Sequence, residues 1–431
     1  MTYEETIAYL YDSTPVFQNI GKGAYKEGLD NTLALDEHFA HPHKKFKSIH
    51  VAGTNGKGSC SHTLAAILQD AGYKVGLYTS PHLVDFRERI RINGTPVPKQ
   101  YVIDFVEKER HFFEPLHPSF FELTTALAFK YFAENAIDIA VIEVGLGGRL
   151  DCTNIIKPIL SVITNISFDH TQFLGGTLTD IAMEKAGTIK PSVPAIVGET
   201  TPETRTVFEK KAEEVHAPII FAEDTQEILS SETDHDTGGR TYHTKNYDVI
   251  KGALGGLCQE KNTNTILHAI PLLEKMDLHI PLRCILGGFA NVCKTTGLMG
   301  RWQRTADRPL TICDTGHNGG GFAYISEQLK SQRCKTLRVV FGMVDDKDID
   351  NVLSMLPENA VYYLTQADVK RALSADILMT KAKEAGLKNT KCFKDVPTAY
   401  MAAREEADDD DFIFVGGSSY IVADFLKFIL G

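Results

Sequence analysis

The sequence contains no Cys-x-x-Cys pair. Its eight cysteines are scattered singly between Cys60 and Cys392, and no His/Cys cluster has zinc-site spacing. Structural zinc and a disulfide framework are therefore not expected, and the cysteines read as reduced thiols of a cytoplasmic protein. No apolar run approaches the roughly 18 residues that suggest a membrane span. The first residues, Met1-Thr-Tyr-Glu-Glu, lack the basic and apolar regions of a signal peptide. A soluble chain with no membrane partner is expected. Positive charge is also short: 45 Lys and Arg against 56 Asp and Glu leave a formal charge of -11. A nucleic-acid binder usually carries a basic face, so no nucleic-acid partner is expected. A small phosphate-bearing ligand remains allowed, because a few local glycines and lysines suffice for it.

What is present is a chain of 431 residues, 43% of them hydrophobic, too large for one ordinary core, so two domains are the default. The organising stretch is Ile49-His-Val-Ala-Gly53-Thr54-Asn55-Gly56-Lys57-Gly58-Ser59. An apolar run stops at glycines and a lysine, and a helical pattern over 61–71 follows. This reads as a strand, a phosphate-cradling loop and a helix, with backbone N–H groups turned toward phosphate and Lys57 reaching its outer oxygens. The spacing departs from the general nucleotide motif, which wants Gly where Val51 stands and Ser or Thr where Gly58 stands. A plain glycine turn before a helix fits that general motif too.

Further along, a short strand at 75–78 runs into Thr79-Ser80-Pro81-His82, then Phe86-Arg-Glu-Arg-Ile90. Ser80 sits where ligands bind in open parallel sheets, although Ser-Pro also makes a turn. A helix over 120–129 and a strand over 137–142 lead to Glu143. A carboxylate at a strand end suits Mg²⁺, a hard cation, and suits a helix cap equally. The glycines of Val144-Gly-Leu-Gly-Gly-Arg149-Leu-Asp151-Cys-Thr-Asn154 allow close approach to a ligand. A strand at 159–163 precedes Asp169-His170, where a lone histidine is more often structural. Lys185 lies in a helical pattern starting at 176 and has the look of a solvated lysine.

Beyond residue 218 the pattern weakens to short strands such as 246–250 and a polar stretch over 230–240. Gln259 and Asn262 precede a helix, where either is an ordinary cap. After a junction at 287–301, apolar runs at 310–313, 337–341, 361–364 and 412–415 alternate with helical patterns, which predicts a second, smaller α/β domain. Residues 405–411 read as a solvated acidic face.

Taken in order over roughly residues 20 to 425, these motifs resemble the folylpolyglutamate synthase branch of the Mur-ligase superfamily. The carrying residues are Gly-Thr-Asn-Gly-Lys-Gly-Ser, Ser-Pro-His with Phe-Arg-Glu-Arg-Ile, and Glu143 through Asn154, departing mainly at Cys152. Asp169-His170, Gly256-x-x-Gln259-x-x-Asn262 and Gly300-Arg301 also match. So do Asp314-Thr-Gly-His317-Asn318, with Thr315 and Gly316 departing, Gly342 through Asp348, and Gly416-Gly-Ser418.

The resemblance implies a Mur-ligase-like α/β fold. A large nucleotide-binding domain with a parallel doubly wound sheet covers 1–296, and a smaller Rossmann-like glutamate-ligase domain covers 297–431. It implies ATP held by Gly53, Thr54, Asn55, Gly56, Lys57, Gly58, Ser59, Asn262, Arg301 and Asp314. Mg²⁺ is implied at Ser80, in a mobile substrate loop, and at Glu143 and His170, with Lys185 carbamoylated as a further metal ligand. Lys57, Lys185, Asp314 and His317 are the implied catalytic residues. Phe121 and Asp151 are implied to line a pterin pocket, and Ser418 to lie near the incoming L-glutamate. The implied activity is ATP-dependent addition of L-glutamate to a folate carboxylate, and to dihydropteroate as well, by a monomer. A cell-wall peptide ligase and a nucleotide-driven binding module without ligation are the alternatives.

Overall fold

The computed structural model describes residues 1–13, 28–234, 237–345 and 348–431. The polar stretch at 230–240 and the motif at 342–348 therefore each have two positions outside the described residues. The chain divides into two compact units. The first comprises 1–232, 241–252 and 260–297; the second comprises 233–240, 253–259 and 298–431. Two short segments that the sequence places before the junction thus group with the second unit. Gln328 explains one of them, because its amide accepts from Leu257 N at 2.9 Å and donates to Gly255 O at 2.9 Å.

The first unit is built on an eight-stranded sheet. Its strands are β1 (Lys47–Ala52), β2 (Val75–Tyr78), β3 (Ile90–Ile92), β4 (Thr95–Pro96), β5 (Ile139–Glu143), β6 (Leu160–Ile163), β7 (Ala195–Val197) and β8 (Ile219–Phe221), in the order β4-β3-β2-β5-β1-β6-β7-β8. β1 pairs in parallel with β5 and β6. Helices cover both faces, which is why these central strands are apolar on both sides. The β3–β4 hairpin adds an antiparallel edge. No strand signal is legible there, since Phe86–Arg89 and Ile90–Ile92 carry arginines within an apolar run.

On one face the helix Lys57–Asp70 lies against the helix Leu282–Thr296, the most extensive helix–helix contact among the described residues. Gly288 allows it: a Cβ there would stand 2.7 Å from both N and Cα of Ile67. His62 Nδ1 and Thr296 Oγ1 close the interface at 2.7 Å. A separate three-stranded sheet holds β9 (Ile228–Thr233), β10 (Arg240–Thr244) and β11 (Val249–Gly252), in the order β11-β10-β9. The strand expected at 246–250 is mostly a turn, reversed at Asp248 with φ 64°.

The second unit carries β12 (Gln303–Asp307), β13 (Leu310–Asp314), β14 (Leu337–Phe341), β15 (Val361–Leu364), β16 (Thr390–Cys392) and β17 (Phe412–Gly416), in the order β12-β13-β17-β14-β15-β16. The four strands legible as apolar runs form its centre. β12 and β16 went unread because they are polar edge strands, one of them antiparallel.

The acidic stretch at 405–411 is only partly a solvated face. Asp411 is 3% exposed and accepts from Arg338 Nε at 2.9 Å, while Arg338 also donates to Tyr363 Oη at 2.7 Å and to Glu406 O. Removing one partner of a buried pair strands the other charge. Asp411→Ala is expected to cost about 3 kcal/mol of unfolding free energy. Denaturation of the full chain followed by the fluorescence of Trp302, its one tryptophan, reads this unit directly. A loss under roughly 0.5 kcal/mol, the level of a surface change, is the contrary result.

Candidate nucleotide and ligase site

β1 lies between β5 and β6, so the loops leaving these three strands meet beyond their carboxyl ends, at the point where strand order reverses. The loop after β1 admits only glycine at two places. Gly53 has φ 138°, and a Cβ there would lie 1.9 Å from Thr164 Oγ1. Gly56 has φ 84°, and its Cβ would lie 2.3 Å from Asn262 Oδ1. Asn262 thus stands against the phosphate loop, within the first turn of the helix Gln259–Glu274 rather than before it.

The segment after β6 fixes the loop. Thr54 N donates to Asn165 O at 2.9 Å, Asn55 N to Asn165 Oδ1 at 3.0 Å, Asn55 Nδ2 to Ser167 Oγ at 3.1 Å, and Thr164 Oγ1 to Asn55 O at 2.5 Å. Thr164, Asn165 and Ser167 are functional neighbours that sequence reasoning assigned no role. Their polar run directly after a buried strand was the available signal. The helix begins at Lys57, four residues before its apolar pattern, so Gly58 and Ser59 lie in its first turn.

Two amines reach one oxygen here. Lys57 Nζ donates to Gly53 O at 3.0 Å and to Thr54 O at 3.1 Å, and Lys185 Nζ donates to the same Gly53 O at 2.9 Å. Lys185 is 4% exposed, which removes the solvated-lysine alternative. Burial, and then the charge of Lys57, push its pKa down to about 7.

Glu143 ends β5 facing Val51 of β1, is 3% exposed, and accepts from Ser80 N at 3.0 Å. The Ser80 loop leads into a bonded turn, in which Glu88 accepts from the N–H groups of Leu83, Val84 and Asp85 at 2.7–2.9 Å. His170 follows β6 in the left-handed region, φ 49°, with its backbone N–H on Asp169 Oδ1 at 2.9 Å. Among the described residues no group of three or more His, Cys, Asp or Glu side chains is assembled for a metal. Glu143 and the Ser80 hydroxyl offer hard oxygen donors of the kind Mg²⁺ takes, an ion that keeps waters and takes substrate phosphates, and His170 a borderline nitrogen.

Asp151 holds the loop that follows Glu143. Its Oδ2 accepts from Gly145 N at 3.0 Å and Leu146 N at 2.8 Å, and its Oδ1 from Thr153 N at 3.0 Å and from Thr153 Oγ1. Both oxygens are spent holding the glycine loop after Glu143, and desolvation raises the pKa of the carboxyl. Phe121 lies against that loop, since a Cβ on Gly145 would stand 2.3 Å from its ring.

In the second unit β13 ends at Asp314, opposite Gly416 of β17. Asp314 Oδ2 accepts from Trp302 N at 2.7 Å and Oδ1 from Gly316 N at 2.8 Å, and burial raises its pKa. Arg301 Nη1 donates to Thr315 Oγ1, which in turn donates to Gly300 O at 3.1 Å, so the departing residue Thr315 anchors the arginine. His317 Nδ1 contacts Thr315 O at 3.0 Å. Ser418 is 2% exposed and caps the helix Ser419–Leu430, its Oγ accepting from Ile421 N at 3.2 Å. Its hydroxyl oxygen thus holds the helix terminus as an acceptor, while its own proton is left to donate.

Comparison with known proteins matches the Mur ligase middle domain over residues 51–263 and the Mur ligase glutamate ligase domain over residues 300–419. The Bacillus subtilis dihydrofolate synthase/folylpolyglutamate synthase is 32% identical over 94% of this chain and 96% of its own. The chain spans only half of a longer Haloferax volcanii relative described as a probable bifunctional folylpolyglutamate synthase/dihydropteroate synthase. Among solved structures, E. coli FolC in complex with DHPP and ADP is 30% identical with TM-score 0.83, covering 100% of this chain and 98% of that one. A bifunctional folylpolyglutamate synthase/dihydrofolate synthase with Mn, AMPPNP and L-glutamate bound is 29% identical with TM-score 0.81, covering 100% and 98%. A glycine-only loop with two lysines, set in a chain matched along nearly its whole length, places the protein in the folylpolyglutamate synthase/dihydrofolate synthase family of Mur ligases.

Proposed function

We propose that this chain is an ATP-dependent acid–amino-acid ligase that adds L-glutamate to a folate carboxylate and, in a second activity, to dihydropteroate. The observation that carries the reading is the phosphate loop of β1, sterically closed to any side chain at Gly53 and Gly56, in a chain whose full-length relatives are such ligases. A carboxylate is a poor acyl donor, so it first attacks the γ-phosphorus of ATP, the β–γ bridge bond breaks, and an acyl phosphate and ADP result. The amine of glutamate then attacks the acyl carbon, phosphate leaves, and the amine loses a proton. Lys57 swings from the loop carbonyls to the phosphates, and Arg301 neutralises charge on the phosphoryl group. Glu143, His170 and Ser80 are the residues that would hold Mg²⁺, which supplies electrostatic stabilisation of that charge when bound. The reading includes a monomer in the cytoplasm.

Lys57→Ala is expected to abolish turnover with the fold intact, because the half-buried amine contacts only loop carbonyls. ADP release is measured with glutamate and, side by side, tetrahydrofolate, dihydropteroate and a cell-wall nucleotide. Turnover of the last alone sinks the folate reading, and undiminished turnover by folded Lys57→Ala sinks the role of the loop.

Lys185 is read as carbamoylated in the active enzyme: the neutral amine adds to CO₂, a proton leaves, and the carbamate offers anionic oxygens to a metal. Its lowered pKa supports that reading, because the amine is already part neutral near pH 7. Lys185→Ala is expected to impair ligation more than nucleotide binding, with partial rescue by acetate. Equal losses in both, and no rescue, argue for a packing role.

The same residue ties stability to pH. The unfolded chain keeps the lysine proton up to the ordinary value of 10.5, whereas the native chain sheds it above about 7. The unfolded state holds more protons across that window, so native stability rises with pH through it. From pH 7 to 9 in CO₂-free buffer, wild type is expected to gain on the order of 2 kcal/mol relative to Lys185→Met. Parallel stability curves for the two proteins contradict the buried neutral amine.

A further inference from the structure

Beside Ser80 lies a buried cation that the reaction described above does not use. Arg89 is 3% exposed, and its backbone carbonyl accepts from Thr79 N at 3.0 Å, one residue before Ser80. Its guanidinium stands over the Phe120 ring, 5.1 Å from the centroid. It makes one side-chain hydrogen bond, from Nε to His82 Nδ1 at 2.7 Å, and pairs with no carboxylate among the described residues. A buried guanidinium without an anion is costly unless a ligand supplies the counter-charge.

The bond to His82 settles more than its own geometry. An arginine N–H only donates, so Nδ1 of His82 accepts, and the neutral ring carries its proton on Nε2. That proton goes to Tyr11 Oη, 2.9 Å away. Tyr11, on the helix Tyr3–Ser13, therefore accepts from the histidine and keeps its own hydroxyl proton to donate elsewhere. Its ring stacks on Phe120 with centroids 5.0 Å apart, which fixes the phenol beside Arg89. Burial raises the phenol pKa, so it remains a donor.

We propose that Arg89 and the Tyr11 hydroxyl recognise the α-carboxylate of the terminal glutamyl residue of a folate substrate, with His82 as the positioning residue between them. The inference rests on the folate-ligase reading above. In that reaction the γ-carboxylate is activated, while the α-carboxylate of the same residue stays ionised a few bonds away and must be carried into the same water-poor site. Dihydropteroate has a single carboxylate, the one activated, and brings no partner for Arg89. The pair thus sets specificity for elongation over the first glutamylation.

The test compares tetrahydrofolate with an analogue whose terminal glutamate is replaced by 4-aminobutyrate, which keeps the reacting carboxylate and lacks the α-carboxylate. Wild type, Arg89→Gln and Tyr11→Phe are assayed for KM and kcat. Wild type is expected to show a KM about tenfold higher for the analogue, a ratio of the size expected when a buried charged site loses its partner. Arg89→Gln should raise the KM for tetrahydrofolate and bring the ratio to within about twofold, with kcat changed equally for both substrates. Tyr11→Phe, which keeps the ring stack, should reduce the ratio partway and carries the test if Arg89→Gln fails to fold. An undiminished ratio in a folded variant overturns the assignment of Arg89 and Tyr11. Wild type that ligates neither compound overturns the folate reading itself.

Discussion

Two lysine amines converge on one carbonyl oxygen, that of Gly53, and much of the first unit is arranged to permit it. The loop reaches that position because β1 is flanked by β5 and β6 and because Thr164 and Asn262 press on it where side chains are absent. Two ammonium groups on one acceptor repel each other, and burial decides which yields. Lys185, enclosed by protein, gives up its proton near neutrality, whereas Lys57 stands half-buried in the first turn of its helix. The asymmetry between the two follows from their positions, one inside a packed helix and one in the first turn of another.

The second unit repeats the same logic with different residues. Asp314 and Gly416 end adjacent parallel strands, and short polar bonds to Asp314 hold the chain beside them. Thr315, where the family pattern has glycine, contributes a hydroxyl that ties Arg301 to Gly300 O. A departure from the motif has here become part of the local scaffold.

Much of this was legible in the sequence because the demands were local. Positive φ and close approach require glycine, so Gly53 and Gly56 announced the loop, and strands covered on both faces announced themselves as apolar runs. Edge strands had no such requirement, and β12 and β16 are polar for the same reason that they are hard to read. Residue type also does not disclose how a side chain spends its hydrogen bonds. Asp151 and Ser418 sit in recognisable motifs, yet their oxygens hold a loop and a helix terminus. His82 and Arg89 share one motif, but Tyr11 lies some seventy residues away, so only folding brings the three into a line.

Gly288 has a consequence for how this chain can change over evolutionary time. Its missing side chain is opposed by the main chain of Ile67, at 2.7 Å from both N and Cα, and not merely by the isoleucine side chain. Trimming residue 67 therefore cannot make room for even a methyl group. Position 288 is closed to drift, and with it the spacing of the two helices that join the phosphate loop to the end of the first unit at Gly297.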